Sequence, residues 1–326
     1  MTRPLRIQYE GAVYHVTCRG NERRAIFKDD ADRKTFLDIL RKSLDIHKVR
    51  LYSYVLMKNH FHMLVETPLG NLGEYMRHFN ISYTGYYNRR HRRVGHLYQG
   101  RYKSIIVDRD EYLSELSQYI HLNPVRIRAK KNMPDEEKAE YLKNYRWSSL
   151  PGYLISRKQE PFVDYSLVLS EYGGNSTAGR RAYRKRILIN IAEGLEVKDK
   201  IIGQSILGGD DFIEWIKETF IKGKKDRESP ALRQLKQYRT RDEIMGVIEK
   251  ETGKSFEKIK ESKGSQRQIA MDMLYRTGGL KGTEIGELLG VDYSTVSQGR
   301  KRLREKMERD RKLRGLVHRI EEKLSF

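Results

Sequence analysis

At 326 residues the chain is longer than one comfortable hydrophobic core, so two or three domains are expected. Its 65 Lys and Arg against 44 Asp and Glu give a formal net charge of +21, which suits a polyanionic partner and nucleic acid before any other. No run approaches the roughly 18 consecutive apolar residues of a spanning helix, the first residues lead into no signal-peptide core, and the single cysteine, Cys18, permits no intramolecular disulfide and fits a cytoplasmic protein.

In chain order, residues 12–18 (AVYHVTC) read as a β-strand, and Asp29 and Asp30 open a helix with Phe36, Leu37, Leu40 and Leu44 on one stripe. Leu51 to Met57 and His60 to Glu66 read as two strands of a hairpin turning at Lys58 and Asn59. Residues 71–88 are helical, with Leu72, Tyr75, Met76, Phe79 and Tyr83 inward. Tyr102 to Val107 is a fourth strand, and Asp108 or Asp110 caps a helix that runs to Leu122 and stops at Asn123 and Pro124. The order β-α-β-β-α-β-α predicts an α+β fold, a ferredoxin-like antiparallel sheet with helices packed on it. Residues 134–220 are mostly helical patterns, with Trp147 and Trp215 as packing anchors and breaks at residues 173–176 and 223–226. Residues 231–326 form a separate basic helical piece. The division expected is 1–130, 131–228 and 229–326.

His60 and His62 are the residues most suggestive of chemistry. Side chains at i and i+2 of a strand share a face, so the two imidazoles converge and make a natural start for a metal site. The helix beginning near 108 carries Tyr119 and Asn123, whose i, i+4 spacing puts a phenol and an amide on one face. A tyrosine has an unperturbed pKa of about 10, so as a nucleophile it needs an electrophile polarised by a cation. A divalent ion held by His60, His62 and Asn123 would do this for a phosphodiester, and the mixed N/O set suits Mn²⁺ or Mg²⁺. The same residues also suit plain packing and capping. His15, His47, His78, His91 and His96 have no partner at ligand spacing. Residues 95–103 (GHLYQGRYK) are basic and aromatic; Arg101 and Lys103 flank Tyr102, and Arg89, Arg90, Arg92 and Arg93 precede them, a composition that could track a DNA backbone.

The pair His60 and His62 followed by Tyr119 and Asn123 resembles the HUH single-tyrosine transposases, and among them the REP-associated tyrosine transposases. Supporting segments are residues 11–20 (GAVYHVTCRG), 57–64 (MKNHFHML), 95–103 and 119–126 (YIHLNPVR). The resemblance implies a ferredoxin-like sheet, a single-stranded DNA substrate often folded as a hairpin, a homodimer, and a 5′-phosphotyrosine intermediate with a free 3′-OH. Many relatives have glutamine where this chain has Asn123, which is one methylene shorter. His121 is the substitute ligand to consider.

In the C-terminal piece, residues 266–274 form a helix broken at Gly278 and Gly279, Thr283 to Leu289 a second closed by Gly290, and Asp292 caps a third that carries Arg300, Lys301, Arg302 and Arg304. This is the layout of a helix-turn-helix. Residues 267–271 (RQIAM), 284–286 (EIG) and 292–296 (DYSTV) resemble the DNA-binding domain of the replication initiator DnaA. That resemblance implies that Asp292, Ser294 and Thr295 face base edges or phosphates and that Arg267 reaches the backbone or minor groove, with Arg300 on the basic helix beside them. No Gly-rich phosphate loop accompanies it, which argues against an ATP-driven initiator. The expected function is therefore a metal-dependent single-stranded DNA endonuclease and strand transferase directed by a duplex-binding domain. The alternative is a regulator that binds DNA without cutting it. A metal-water hydrolase using Glu66 is weaker, because Glu66 lies about 13 Å along the strand from His62.

Overall fold

The computed structural model describes residues 6–197, 200–203, 205–221, 239–278, 280 and 282–324. The break expected at residues 223–226, Gly279 and the boundary at 228/229 lie outside them. The chain divides into two compact units, one within residues 4–209 and one within 210–326. The extension after residue 130 thus belongs, as far as residue 209, to the same unit as the first domain.

In the first unit, β1 (Ala12–Arg19), α1 (Asp30–His47), β2 (Arg50–Met57), β3 (His60–Thr67), α2 (Leu72–Arg90), β4 (Lys103–Val107) and α3 (Arg109–Leu122) follow the expected order. The strands run β2-β3-β1-β4 across an antiparallel sheet, and a short β5 (Ile206–Leu207) adds in parallel to β4. Strand alternation and caps explain most of this. Asp29 accepts a hydrogen bond from the Asp32 amide at the start of α1, and Asp108 accepts one from the Asp110 amide at the start of α3. The chain leaves α1 through Lys48 in the left-handed region (φ 55°).

The register decides which residues share a face. Thr17 pairs with His62 and Lys103, and His60 pairs with Arg19 and Met57. Period-two alternation therefore puts His15, Thr17, His60 and His62 on one side and Tyr14, Val16, Cys18, Phe61 and Met63 on the other. The second side is covered by α1 and α2, where Phe36 meets Phe27, Phe61, Phe79 and Tyr83 at ring separations of 4.9–5.1 Å. The first side receives α3.

The extension contains α4 (Asp135–Asn144), α5 (Leu150–Leu154), α6 (Ser166–Ser170) and α7 (Thr177–Glu193). It pairs with part of β2 at one side of the sheet and with part of β4 at the other. Residues 147–149 bond to β2 (Leu56 N to Trp147 O, 2.8 Å; Ser149 N to Tyr54 O, 3.1 Å), and the segment around β5 bonds to β4 (Ile106 N to Ser205 O, 2.7 Å; Asp108 N to Leu207 O, 2.7 Å). Unpaired edges are sites of unwanted pairing, and these contacts shorten the free edge at β2 and β4. Strand β5 was not expected, because two residues carry too little alternation to stand out from a helical region.

The second unit begins with α8 (Asp210–Ile216), and continues as α9 (Arg241–Thr252), α10 (Phe256–Glu261), α11 (Ser265–Arg276), α12 (Gly282–Leu289), α13 (Tyr293–Arg309) and α14 (Arg311–Leu324). Thr240 and Glu243 form a reciprocal capping box at the start of α9. Ile244, Ile248, Ile269, Leu274, Ile285, Val296, Leu303 and Val317 make the core. Trp215, expected as a packing anchor, meets Phe212 and Phe220 and stays 42% exposed. Trp147 packs against the guanidinium groups of Arg33 and Arg146. Among the described residues no helix is long and apolar enough to cross a membrane.

Candidate active site

The two strand histidines and the helix tyrosine meet. The ring centroids of His60 and His62 are 5.1 Å apart, and Tyr119 packs edge-on against His62 at 6.5 Å. A third histidine joins them. His15 lies 6.1 Å from Tyr119, and its Nε2 is 2.8 Å from Nδ1 of His62. Thr17 Oγ1 is 3.3 Å from the same nitrogen. His60 Nδ1 sits 2.8 Å from the side-chain oxygen of its neighbour Asn59. Both strand histidines thus have Nδ1 against a protein group, the arrangement that fixes the tautomer of an imidazole and aims its Nε2 lone pair.

Tyr119 is only 4% exposed, and burial pushes its hydroxyl pKa up. The Arg126 guanidinium, 4.8 Å from the centre of the phenol ring, pulls it down, and Glu196 raises it again. Arg126 donates to Glu196 at 2.7 Å and to the Leu195 carbonyl, so the segment after α7 reaches the Tyr119 ring through one arginine. Asn123 follows α3 and donates Nδ2 to the carbonyls of Tyr119 (2.9 Å) and Ile120 (3.3 Å), which leaves Oδ1 as the acceptor end of the amide. His121 is not a substitute ligand. It points into the interior between Tyr183 (Nδ1 to Oη, 2.8 Å) and Ser149 (Nε2 to Oγ, 2.8 Å), fully buried, where desolvation lowers its pKa to about 3. Residue i+2 of a helix turns about 200° from residue i, which is why His121 leaves the face of Tyr119. Glu66 is also elsewhere, paired with Arg50 at 3.1 Å and bonded by Tyr52.

The face of α3 away from Tyr119 is polar and buried. Ser117 bonds to Ser53 (2.6 Å) and Tyr183 (2.9 Å), Ser114 to Tyr172 (2.6 Å), and Gln118 to Tyr172 and Asn190. Helix α3 is therefore held from behind by hydroxyl and amide groups of the extension. Buried groups of this kind hold one arrangement, because any other would strand them without partners.

Among the described residues no group of three or more His, Cys, Asp or Glu side chains is arranged to hold a metal. A donor set of two imidazoles and one amide oxygen is of a different kind, and nitrogen with neutral oxygen suits Mn²⁺ or Mg²⁺ when substrate oxygens complete the shell.

Arg101 and Lys103 are exposed, and Arg101 lines a cavity of about 960 Å³ between α2 and residues 96–102, together with Arg6, Arg77, Asn80, Gln99 and Tyr102. Arg6 lies over the Tyr102 ring at 4.3 Å. Of the preceding arginines, Arg90 is tied to Asp29 (2.7 Å) and Asp32, and Arg93 to the His96 carbonyl (2.7 Å).

In the second unit Asp292 caps α13: it accepts from the Thr295 amide (2.7 Å) and from the hydroxyls of Ser294 (2.7 Å) and Thr295 (3.2 Å). Arg267 donates to the Lys260 carbonyl at 3.3 Å. Arg300 does not present its charge to the surface. It bonds to buried Asp272 at 3.3 Å and stacks on Tyr275 at 3.4 Å, because Asp272 needs a cation beside it once buried.

Sequence reasoning missed His15, Thr17 and Arg126. The alternation of Tyr14, His15, Val16 and Thr17 was the available signal for the first two, but only the pairing of β1 with β3 says what they face.

Comparison with known proteins follows the same lines. Residues 8–123 match the model of the family described as "Transposase IS200 like". No curated protein sequence matches the chain. A solved structure described as "Structure of the REP associates tyrosine transposase bound to a REP hairpin" is similar over 51% of this chain and 94% of that one, with 14% identity and a TM-score of 0.40. The region that carries His60, His62 and Tyr119 is thus similar to the IS200-like transposases.

Proposed function

We propose that this protein is a transposase that cleaves and rejoins single-stranded DNA with Tyr119 as nucleophile, in the manner of the REP-associated group, with His60, His62 and Asn123 holding a Mg²⁺ or Mn²⁺ ion. The observation that carries this is Tyr119 packed against His15 and His62 within one chain. The two histidines and the amide oxygen fit such an ion by donor type, with both Nδ1 atoms already held by the protein. When bound, the ion supplies Lewis-acid polarisation of the scissile phosphate.

The remaining work falls to side chains of this chain. The Tyr119 oxygen forms a bond to phosphorus as the bond to the 3′ oxygen breaks. The phenolic proton passes to solvent water, and the departing 3′ oxygen takes one from solvent. The products are a 5′-phosphotyrosine and a free 3′-OH, which can reverse the step on another strand without ATP. Arg126 steadies the phenol ring. The cavity lined by Arg6, Arg77 and Arg101, with Lys103 beyond it, favours a phosphate backbone and aromatic stacking, which supports a single-stranded or hairpin substrate.

Helices α12 and α13, joined by a tight turn at Gly290 (φ 66°), would act as a helix-turn-helix on duplex DNA near the target, with Asp292, Ser294 and Thr295 at the leading end and Arg267 on the backbone. The homodimer implied by resemblance belongs to the same proposal.

The test is incubation with hairpin oligonucleotides and Mg²⁺ or Mn²⁺, followed by denaturing electrophoresis. A covalent adduct is expected from the wild type and none from Tyr119→Phe. An adduct that persists in Tyr119→Phe refutes the nucleophile. DNA binding without any adduct, over a panel of hairpins and both ions, favours the non-cleaving regulator.

A further inference from the structure

We propose that His15 is a positioning residue that fixes the tautomer and ring orientation of His62. This rests on the reading of His62 as a metal ligand, but its geometry stands apart from it. The pairing of Thr17 with His62 places His15, two residues along β1, on the face that His62 occupies. The two rings are close to parallel, 18° between planes with centroids 5.0 Å apart, and a hydrogen bond of 2.8 Å joins His15 Nε2 to His62 Nδ1. His15 is only 6% exposed and sits on a central strand of the sheet, so it cannot swing away. Its other neighbour is the Tyr119 ring at 6.1 Å. One imidazole therefore braces both His62 and Tyr119.

The direction of the hydrogen bond follows from the chemistry required of His62. An imidazole that ligates through Nε2 carries its proton on Nδ1, and that proton needs an acceptor. His15 Nε2 at 2.8 Å meets this need, with Thr17 Oγ1 at 3.3 Å beside it. The reverse arrangement, with His15 donating, would put the proton of neutral His62 on Nε2 and block ligation there. Groups that hold a metal-bound histidine in this way are typically worth about 10–100-fold in metal affinity.

The experiment has two readouts. In metal-free, ¹⁵N-histidine-labelled protein, long-range ¹H–¹⁵N correlation spectra report which ring nitrogen carries the proton. His62 is expected as the Nδ1–H form in the wild type and as a mixture in His15→Leu. Titration with Mn²⁺ alone, followed by the paramagnetic signal of the unbound ion, is expected to show affinity about 10–100-fold weaker in His15→Leu. In His15→Gln, whose amide oxygen restores an acceptor, most of that loss should be recovered. A thermal melt of each variant confirms that it folds, and the wild-type spectrum needs no variant. An Nε2–H form of His62 in the wild type overturns the proposal, as does a folded His15→Leu variant with unchanged tautomer and Mn²⁺ affinity. A wild type that binds no Mn²⁺ overturns the metal reading instead, and the tautomer alone then decides the role of His15.

Discussion

Replacing Tyr183 by phenylalanine removes one oxygen atom from behind the tyrosine helix and tests whether the extension holds it. That hydroxyl bonds to His121 Nδ1 at 2.8 Å and Ser117 Oγ at 2.9 Å, and all three residues are fully buried. Ser117 keeps Ser53 as a partner at 2.6 Å, but His121 Nδ1 loses the partner that satisfies it. Leaving one buried polar atom unsatisfied costs about 1–3 kcal/mol, with no gain in apolar burial to offset it. For a unit of about 200 residues each kcal/mol lowers the melting temperature by about 2–4 °C, so the expected drop is about 2–12 °C. Because His121 and Tyr119 share α3, loosening that contact should also slow adduct formation at saturating DNA, while oligonucleotide affinity stays the same. Calorimetry and single-turnover adduct yields measure the two effects. A variant as stable as the wild type would refute the role assigned to the hydroxyl. A destabilised variant with an unchanged adduct rate would refute the claim that the extension aims Tyr119.

Four further outcomes follow from the structure. Burial raises the Glu160 carboxyl from 4.5 to about 7, against the lowering effect of the Tyr54 hydroxyl 2.7 Å from both its oxygens. The unfolded chain therefore loses this proton first, and stability should fall as pH rises from about 4.5 to 7, by about 1.4 kcal/mol per unit of pKa difference at most; denaturant melts of Glu160→Gln should lack that slope. Cys18, 3% exposed with its thiol pushed up to about 12 by burial, should resist an aromatic disulfide reagent until the protein is unfolded, and prompt reaction in the native state would contradict its burial. Asp272→Ala strips the partner from Arg300, whose side chain is 15% exposed, and from the more open Arg276; urea melts should show a loss toward the lower end of about 3–5 kcal/mol. Arg77→Gln and Arg101→Gln should each weaken oligonucleotide binding and flatten its dependence on salt by about one phosphate contact, whereas an unchanged salt slope would place the strand elsewhere.

The local features of this protein were written in its sequence. Alternation put His60 and His62 on one strand face, i, i+4 spacing put Tyr119 and Asn123 on one helix face, and Asp29, Asp108 and Asp292 marked helix starts that the structure keeps. Such features depend on neighbours within a few residues, where the periods of strand and helix fix direction. What joins distant segments was not legible there. His15 meets His62 across 47 positions, Tyr183 meets His121 across 62, and β5 returns to the edge of β4 after a hundred residues; only strand register and helix packing decide those meetings. Arg300 shows the same limit in reverse. A basic helix predicts a charge for DNA, but the burial of Asp272 on another helix draws that charge inward, since a carboxylate taken from water must have its cation close by.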